Sequence, residues 1–242
     1  MSFNKYLWKL MATSDSPENE LFNDKLKQKE WLKKHDIPHA KLRWTGSIDE
    51  LSEPELMKST CVLKPTDGAA AVGVYLLEPK QNSLYDRKKG RVYSFESLKQ
   101  SMKKVMRDYK HWSGQWLIED SLRLHAPLYE YKMYMFHNKL ELVMANLKQD
   151  GKQVKHWFDP NWKTAEVKRI NNAINKEIPP PRDKQGITEL AEKVSSLLEL
   201  DFSRIDIFEN DNGLFVGEIN AWDGNPSFDN YWDTRLWQKL RQ

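Results

Sequence analysis

Apolar positions recur at helical spacing in three stretches and alternate at strand spacing in several others. Residues 24–35 put Leu26, Trp31 and Leu32 on one stripe, with Asp24 as a cap and Pro38 as a stop, and predict a helix. Residues 97–111 predict a second, with Leu98, Met102, Val105, Met106 and Tyr109 inward. Its outer face carries Lys99, Lys103, Lys104, Arg107 and Lys110, which plain solvation explains. Residues 187–200 predict a third, burying Ile187, Leu190, Val194, Leu197 and Leu198. Residues 61–65 and 72–78 predict a hairpin across a small-residue loop, and 115–119 another strand. Residues 129–136 alternate, with Glu130, Lys132, Tyr134 and Phe136 on one side and Tyr131, Met133 and Met135 on the other. Asn138 opens a turn into a return strand over 140–146, and a last hairpin covers 202–220. The stretch from Tyr85 to Tyr93 reads as a solvated turn. The polar stretch 148–186, with three prolines at 179–181, predicts no regular structure. No internal repeat is present.

The last hairpin carries the sharpest chemistry. Its strands, 202–209 and 214–220, flank Asp211-Asn212-Gly213. A two-residue loop would pair Asp206 with Gly217 and leave Glu218 on the opposite face. A three-residue loop, with Gly213 left-handed, pairs Asp206 with Glu218 and Arg204 with Asn220. The three-residue loop makes both faces consistent: Ile205, Ile207, Phe215 and Ile219 pack inward, and Arg204, Asp206, Glu218 and Asn220 share the other side. Facing carboxylates lie ~5 Å apart at Cβ and repel, so positive charge must sit between them. Two sources are open. Asp206, Glu218 and Asn220 are hard oxygen ligands suited to Mg2+ on a phosphate. Alternatively, Arg204 and a nearby lysine neutralise the carboxylates.

The loop Thr66-Asp67-Gly68-Ala69-Ala70-Ala71-Val72-Gly73 is rich in small residues, which let backbone N–H groups approach an anion. Lys64 stands just before it and could add charge. The loop is neither a Walker A motif, since Val74 stands where lysine belongs, nor a GxGxxG fingerprint. A glycine-rich turn with no ligand fits the same residues.

Composition narrows the class. The 242 residues are 39% hydrophobic and 30% charged, suited to a soluble globular chain large enough to bury a core. With 38 basic and 35 acidic groups the net charge is +3, too small for a polybasic nucleic-acid binder. Charge is placed unevenly: residues 61–180 carry 21 basic and 13 acidic groups, net +8, and residues 181–242 carry 7 and 12, net −5. A site joining a polyphosphate to a metal cation needs such a contrast, although random surface scatter also yields it. Cys61 is the single cysteine, which excludes an intrachain disulfide and a CxxC site; its strand position points to packing. No apolar run reaches membrane-spanning length, and the first twelve residues make a poor signal peptide, so a cytoplasmic location is expected. The six histidines form no HExxH, and there is no GxSxG.

The order of these features resembles the ATP-grasp superfamily, an α+β fold of two lobes that hold ATP between antiparallel sheets. Asp24-Lys25 heading a helix that ends at Ile37-Pro38 resembles the family's entry helix. Val62-Leu63-Lys64-Pro65 and the following loop resemble its phosphate-covering hairpin, Leu117-Ile118-Glu119 its hinge, and Arg204-Ile205-Asp206 with Gly217-Glu218-Ile219-Asn220 its metal-binding hairpin. The chain is more closely similar to the TupA-like group, linked to teichuronopeptide and polysaccharide biosynthesis. The points of likeness are Pro127-Leu128-Tyr129-Glu130-Tyr131-Lys132 with Phe136, Phe158-Asp159-Pro160-Asn161-Trp162, and the run from Ile187 through Phe202 to Gly217-Glu218. It departs at Asn220, where that group tends to have Thr.

The resemblance implies an ATP- and Mg2+-dependent ligase that joins a small-molecule, glycan or peptide carboxylate to an amine through an acyl phosphate. A phosphotransferase or a non-catalytic nucleotide-binding protein are the other readings. It implies residues 1–45 as an N-terminal segment with the entry helix, 46–118 as a lid lobe, and 119–242 as a large lobe with hinge and metal hairpin. Lys25, Lys64, Asp67, Gly68, Ala69 and Ala70 would serve the phosphates, Glu119 the adenine and Glu130 the ribose. Lys132 would meet a phosphate or the substrate carboxylate, Arg204 the acyl phosphate, and Asp206, Glu218 and Asn220 the metal. The full N-terminal domain of many such ligases is expected to be absent, which would leave part of the substrate site open or supplied by a homodimer or a partner protein. No nucleic-acid partner is expected.

Overall fold

The structure, a computed structural model, describes residues 1–12, 19–68, 71–110, 112–122, 128–149, 152–167, 174–175, 178–223 and 227–242. They form two compact units: Met1–Asn23 with Trp31–His39 and His125–Gln242, and Asp24–Glu30 with Ala40–Leu124. Among the described residues no helix is long and apolar enough to cross a membrane.

The unit built on Ala40–Leu124 is a six-stranded antiparallel sheet. Its strands are β1 (Leu42–Ser47), β2 (Cys61–Pro65), β3 (Tyr75–Lys80), β4 (Ser83–Asp86), β5 (Arg91–Tyr93) and β6 (Gln115–Asp120), in the order β1-β6-β2-β3-β4-β5. One face is apolar: Cys61, Leu63, Tyr75, Leu77, Trp116 and Ile118 pack against Leu98 and Met102. Those two residues lie on the helix Phe95–Asp108, whose Ser94 side chain caps it by accepting from the Ser97 N–H. The stretch expected as a solvated turn forms β4 and β5. Its short strands escape a pattern search because only Leu84, Asp86 and Tyr93 are buried along them. Asp86 is fully buried, and its Oδ1 accepts the N–H groups of Leu76 and Lys88, which closes the turn.

The other unit holds a six-stranded sheet with apolar packing on both faces. Its strands are β7 (Tyr129–Phe136), β8 (Lys139–Gln149), β9 (Lys152–Phe158), β10 (Ile174–Asn175), β11 (Phe202–Asn210) and β12 (Gly213–Asn220), in the order β10-β9-β8-β7-β11-β12. All neighbours are antiparallel except β9 and β10. Tyr131, Met133, Ile205, Ile207, Val216 and Ile219 face the helix Lys184–Leu198 through its Ile187, Ala191 and Val194. Leu190 and Leu198 pack against that cluster, but Leu197, expected inward, is exposed. On the other face Tyr134, Phe136, Leu142, Met144 and Phe202 meet Phe3 and Leu7 from the helix Phe3–Ala12, and Trp232 and Leu236 from the helix Asn230–Leu240. β9 lies inside the stretch expected to be irregular. Val154 and Phe158 serve one core and Trp157 the other, so no polar–apolar alternation marks the strand.

The last hairpin reaches the expected pairing by another route. Asn210 pairs with Gly213, so the loop is Asp211-Asn212 alone, and the register shifts between Asp206 and Ile207. The extra residue is Gly217, a bulge that restores Asp206 opposite Glu218 and Arg204 opposite Asn220. Below the bulge Ile207 faces Val216, so Val216, not Phe215, is the buried residue. The ring of Phe208 lies across the bulge. A Cβ at Gly217 would sit 2.2 Å from its Cε2, which explains the glycine.

Candidate active site

Strand register assembles a charged ladder in the unit of β7–β12. Lys132 on β7 is directly opposite Asp206 on β11, which is opposite Glu218 on β12; Arg204 stands between Tyr134 and Asn220; and Glu130 faces Asn146 on β8. Tyr134 and Phe136 continue the Glu130–Lys132 side of β7 into the core packed by Phe3 and Phe228. One sheet face thus changes from apolar to charged along a single strand.

Asp206 is fully buried, and both its oxygens are engaged. Arg204 donates from Nε to Oδ1 at 2.8 Å and from Nη2 to Oδ2 at 3.1 Å, and Lys132 also donates to Oδ2. Arg204 Nη1 reaches Asp223 Oδ1 at 3.0 Å, and the Tyr134 hydroxyl donates to Asp223 Oδ2 at 3.1 Å. Lys132 lies 3.1 Å from Glu130 Oε1, and Asn146 Nδ2 donates to Glu130 Oε2 at 2.6 Å. Burial alone would raise the Asp206 carboxyl, but Arg204 and Lys132 outweigh it and hold it below its ordinary value. Burial likewise disfavours charge on Lys132, and Asp206 and Glu130 reverse that and raise it. The positive charge required between the carboxylates is therefore supplied, at Asp206, by Arg204 and a lysine.

Glu218 is half-buried and makes no ion pair among the described residues. Asn220 is half-buried, and its Nδ2 is enclosed without a hydrogen-bond partner among the described residues. No group of three or more His, Cys, Asp or Glu side chains gathers to hold a metal among the described residues. The candidate set is instead two carboxylates and one amide, all hard oxygen donors. Glu218 and Asn220 have no ion pair among the described residues and could hold Mg2+, whereas Asp206 would join them only by giving up a bond to Arg204 or Lys132.

The second cluster lies in the unit of β1–β6. Lys64 on β2 and Glu119 on β6 are diagonal neighbours on the sheet face opposite the apolar core, with Lys64 Nζ 2.5 Å from Glu119 Oε1. Lys29, from the helix Lys25–Lys34, approaches Glu119 Oε2 at 2.8 Å. Burial would raise Glu119, but Lys64 and Lys29 hold it down at about 2. Lys25 is bound into the loop after β2. Its N–H donates to the Thr66 carbonyl at 2.8 Å and its ammonium to the Gly68 carbonyl. Asp67 Oδ2 accepts the Ser113 N–H at 2.5 Å, so Asp67 ties down the loop. A Cβ on Gly68 would lie 3.1 Å from Pro65 and 3.2 Å from Trp112, leaving little room for a side chain. Ala69 and Ala70 lie outside the described residues.

Of the residues singled out from sequence, the structure joins Glu130, Lys132, Arg204, Asp206, Glu218 and Asn220 through one register, and Lys64 and Glu119 through another. It adds Asn146 and Lys29, and it ties Asp223, which follows the last hairpin in sequence, to Arg204 and Tyr134. Asn146 follows Leu142 and Met144 on one side of β8, so alternation together with its pairing partner Glu130 could have marked it. Lys29 offered no signal, because a lysine in an amphipathic helix ordinarily faces water.

Two α+β units, each with a mainly antiparallel sheet and a charged cluster, give the fold of ATP-grasp ligases. The sequence profile described as TupA-like ATPgrasp matches residues 4–240, and the chain belongs to that family. Among solved structures, D-alanine–D-alanine ligase from Bacillus anthracis is similar at a TM-score of 0.55 and 19% identity, over 86% of this chain and 58% of that one. The same enzyme complexed with ATP matches at 0.53 and 14%, over 90% and 63%. D-alanyl-alanine synthetase A from Vibrio cholerae matches at 0.54 and 17%, over 86% and 58%. The chain thus spans about three-fifths of the length of these ligases. No curated protein sequence matches it.

Proposed function

We propose that this chain is an ATP- and Mg2+-dependent, ADP-forming ligase of the cytoplasm. It activates a carboxylate as an acyl phosphate and joins it to an amine, in the modification of a cell-surface polysaccharide or peptide. The observation that carries the reading is the register-built ladder of Lys132, Arg204, Asp206, Glu218 and Asn220, in a chain of the TupA-like ATP-grasp family.

A substrate carboxylate oxygen attacks the γ-phosphorus, the bond to the β–γ bridging oxygen breaks, and ADP leaves. The amine then attacks the acyl carbon, phosphate departs with the C–O bond electrons, and the amine proton is lost. Protein groups contribute mainly position and charge. Lys25 and Lys64 receive phosphate oxygens, together with the backbone of Asp67, Gly68, Ala69 and Ala70. Glu119 accepts from the adenine amino group and Glu130 from the ribose hydroxyls. Lys132 meets a phosphate or the substrate carboxylate. Arg204 uses three of its five N–H groups on Asp206 and Asp223 and, among the described residues, keeps two for the transferred phosphoryl oxygens. Asp206, Glu218 and Asn220 would hold Mg2+, which neutralises charge on the β- and γ-phosphates.

The test is calorimetric titration of a non-hydrolysable ATP analogue, with and without Mg2+, into wild type and Glu218→Gln. Tight, Mg2+-dependent binding that the substitution weakens supports the reading, and no binding by folded wild type overturns it. Release of ADP and phosphate only when a carboxylate and an amine are both present then marks a ligase. Phosphorylation of a non-carboxylate acceptor without free phosphate marks a phosphotransferase instead.

A further inference from the structure

Glu119 faces two ammonium groups, one more than it needs. Lys64 Nζ is 2.5 Å from one oxygen and Lys29 Nζ is 2.8 Å from the other. The side chains of Lys29, Glu119 and Lys64 are 4%, 9% and 13% exposed, so the group carries a surplus positive charge almost out of water. A second desolvated ammonium is costly where one would neutralise the carboxylate. A surplus cation of this kind is relieved by an anion, and the two lysines are not equally able to meet one. Lys29 is anchored twice, since it also donates to the Ala40 carbonyl at 3.3 Å. Among the described residues Lys64 has Glu119 as its one polar partner; it is the more exposed of the two, and it stands two residues before Thr66, where the loop begins.

We propose that Lys29 is a positioning residue that releases Lys64 from Glu119. When a triphosphate arrives, Lys64 swings to it, and Lys29 keeps the Glu119 carboxylate paired. With a single lysine, the same movement would strand a buried carboxylate without a counter-charge, and Lys64 would stay where it is. The inference rests on the nucleotide reading above and adds to it a residue that touches no ligand.

A double-mutant cycle tests it. Binding of the non-hydrolysable ATP analogue and of adenosine, both with Mg2+, is measured for wild type, Lys29→Met, Lys64→Met and the double substitution. Each single change is expected to weaken analogue binding about tenfold, and the double change also about tenfold instead of a hundredfold. In the two single variants, where Glu119 keeps one lysine, adenosine binding should stay within about twofold, and Lys29→Arg should restore analogue binding. Losses that multiply, an unaffected Lys29→Met, or adenosine binding lost in parallel each overturn the release. If Lys29→Met does not fold, Lys29→Gln, which keeps a donor without charge, gives the same reading. Wild type that binds no triphosphate overturns the nucleotide function and this inference together; binding with multiplied losses overturns this inference alone.

Discussion

Asp206 and Glu218 stand opposite each other on one sheet face, yet their surroundings assign them different tasks. Asp206 is buried and bound by Arg204 and Lys132, whereas Glu218 is half-buried with no ion pair among the described residues. Asp206→Asn should therefore cost about 3–5 kcal/mol in urea unfolding, because it leaves two buried cations short of a counter-charge. Glu218→Gln should leave the unfolding free energy in urea within about 0.5 kcal/mol of wild type while weakening Mg2+-dependent analogue binding. The opposite ranking of stabilities would refute the assignment. Glu119 makes a pH prediction. Its folded value of about 2 lies below the ~4.3 of an unfolded glutamate, so its contribution is complete above that value and is lost as pH falls toward 2. Glu119→Gln should be less stable than wild type at neutral pH and lose less stability between pH ~5 and ~2. Parallel pH profiles for the two proteins would count against the buried ion pairs.

At the scale of the element, the final hairpin turns on one glycine. Asp211-Asn212 is a two-residue loop, and without the bulge at Gly217 the register would place Glu218 on the apolar face. Gly217→Ala brings a Cβ to 2.2 Å from the Phe208 ring and should cost about 1–3 kcal/mol. Phe208→Ala in the same chain should recover part of that loss, and the Gly217→Ala variant should bind the ATP analogue more weakly even where it is folded. Additive losses in urea would mean that the glycine is needed for something other than clearance of that ring. The same element shows where sequence reasoning reached a correct pairing by an incorrect loop. A bulge leaves no mark in composition, and a three-residue loop satisfies the same polar face.

The whole molecule comprises two units with separate cores, and Cys61 reports on one of them. It is fully buried on β2, and burial pushes its thiol up to about 11. A thiol-specific reagent at pH 8 should leave the native protein unlabelled over minutes and react fully in denaturant, its rate tracking the opening of the β1–β6 unit. Immediate labelling of native protein would show that β2 is not enclosed. Membership of the TupA-like ATP-grasp family places both units in one fold, while the similarity to D-alanine–D-alanine ligases, below 20% identity, speaks for that fold alone.

Local order carried a great deal of this by itself. Alternation in β7, the spacing in the helix Phe95–Asp108, the cap at Asp24 and the Asp206–Glu218 motif all act over a few residues, so they were legible from the chain. The order of the motifs was enough to identify the family. Tertiary structure decided what depends on distant partners. It made a strand of Lys152–Phe158, because two cores claim its two faces. It folded 83–93 into a hairpin around a buried aspartate. It also settled which cations neutralise Asp206 and Glu119. Arg204 lies two residues from Asp206 on one strand face and was legible, but Lys132–Asp206, Lys64–Glu119 and Lys29–Glu119 join residues 74, 55 and 90 positions apart, and no local pattern encodes a contact that exists only once the sheets have set their register.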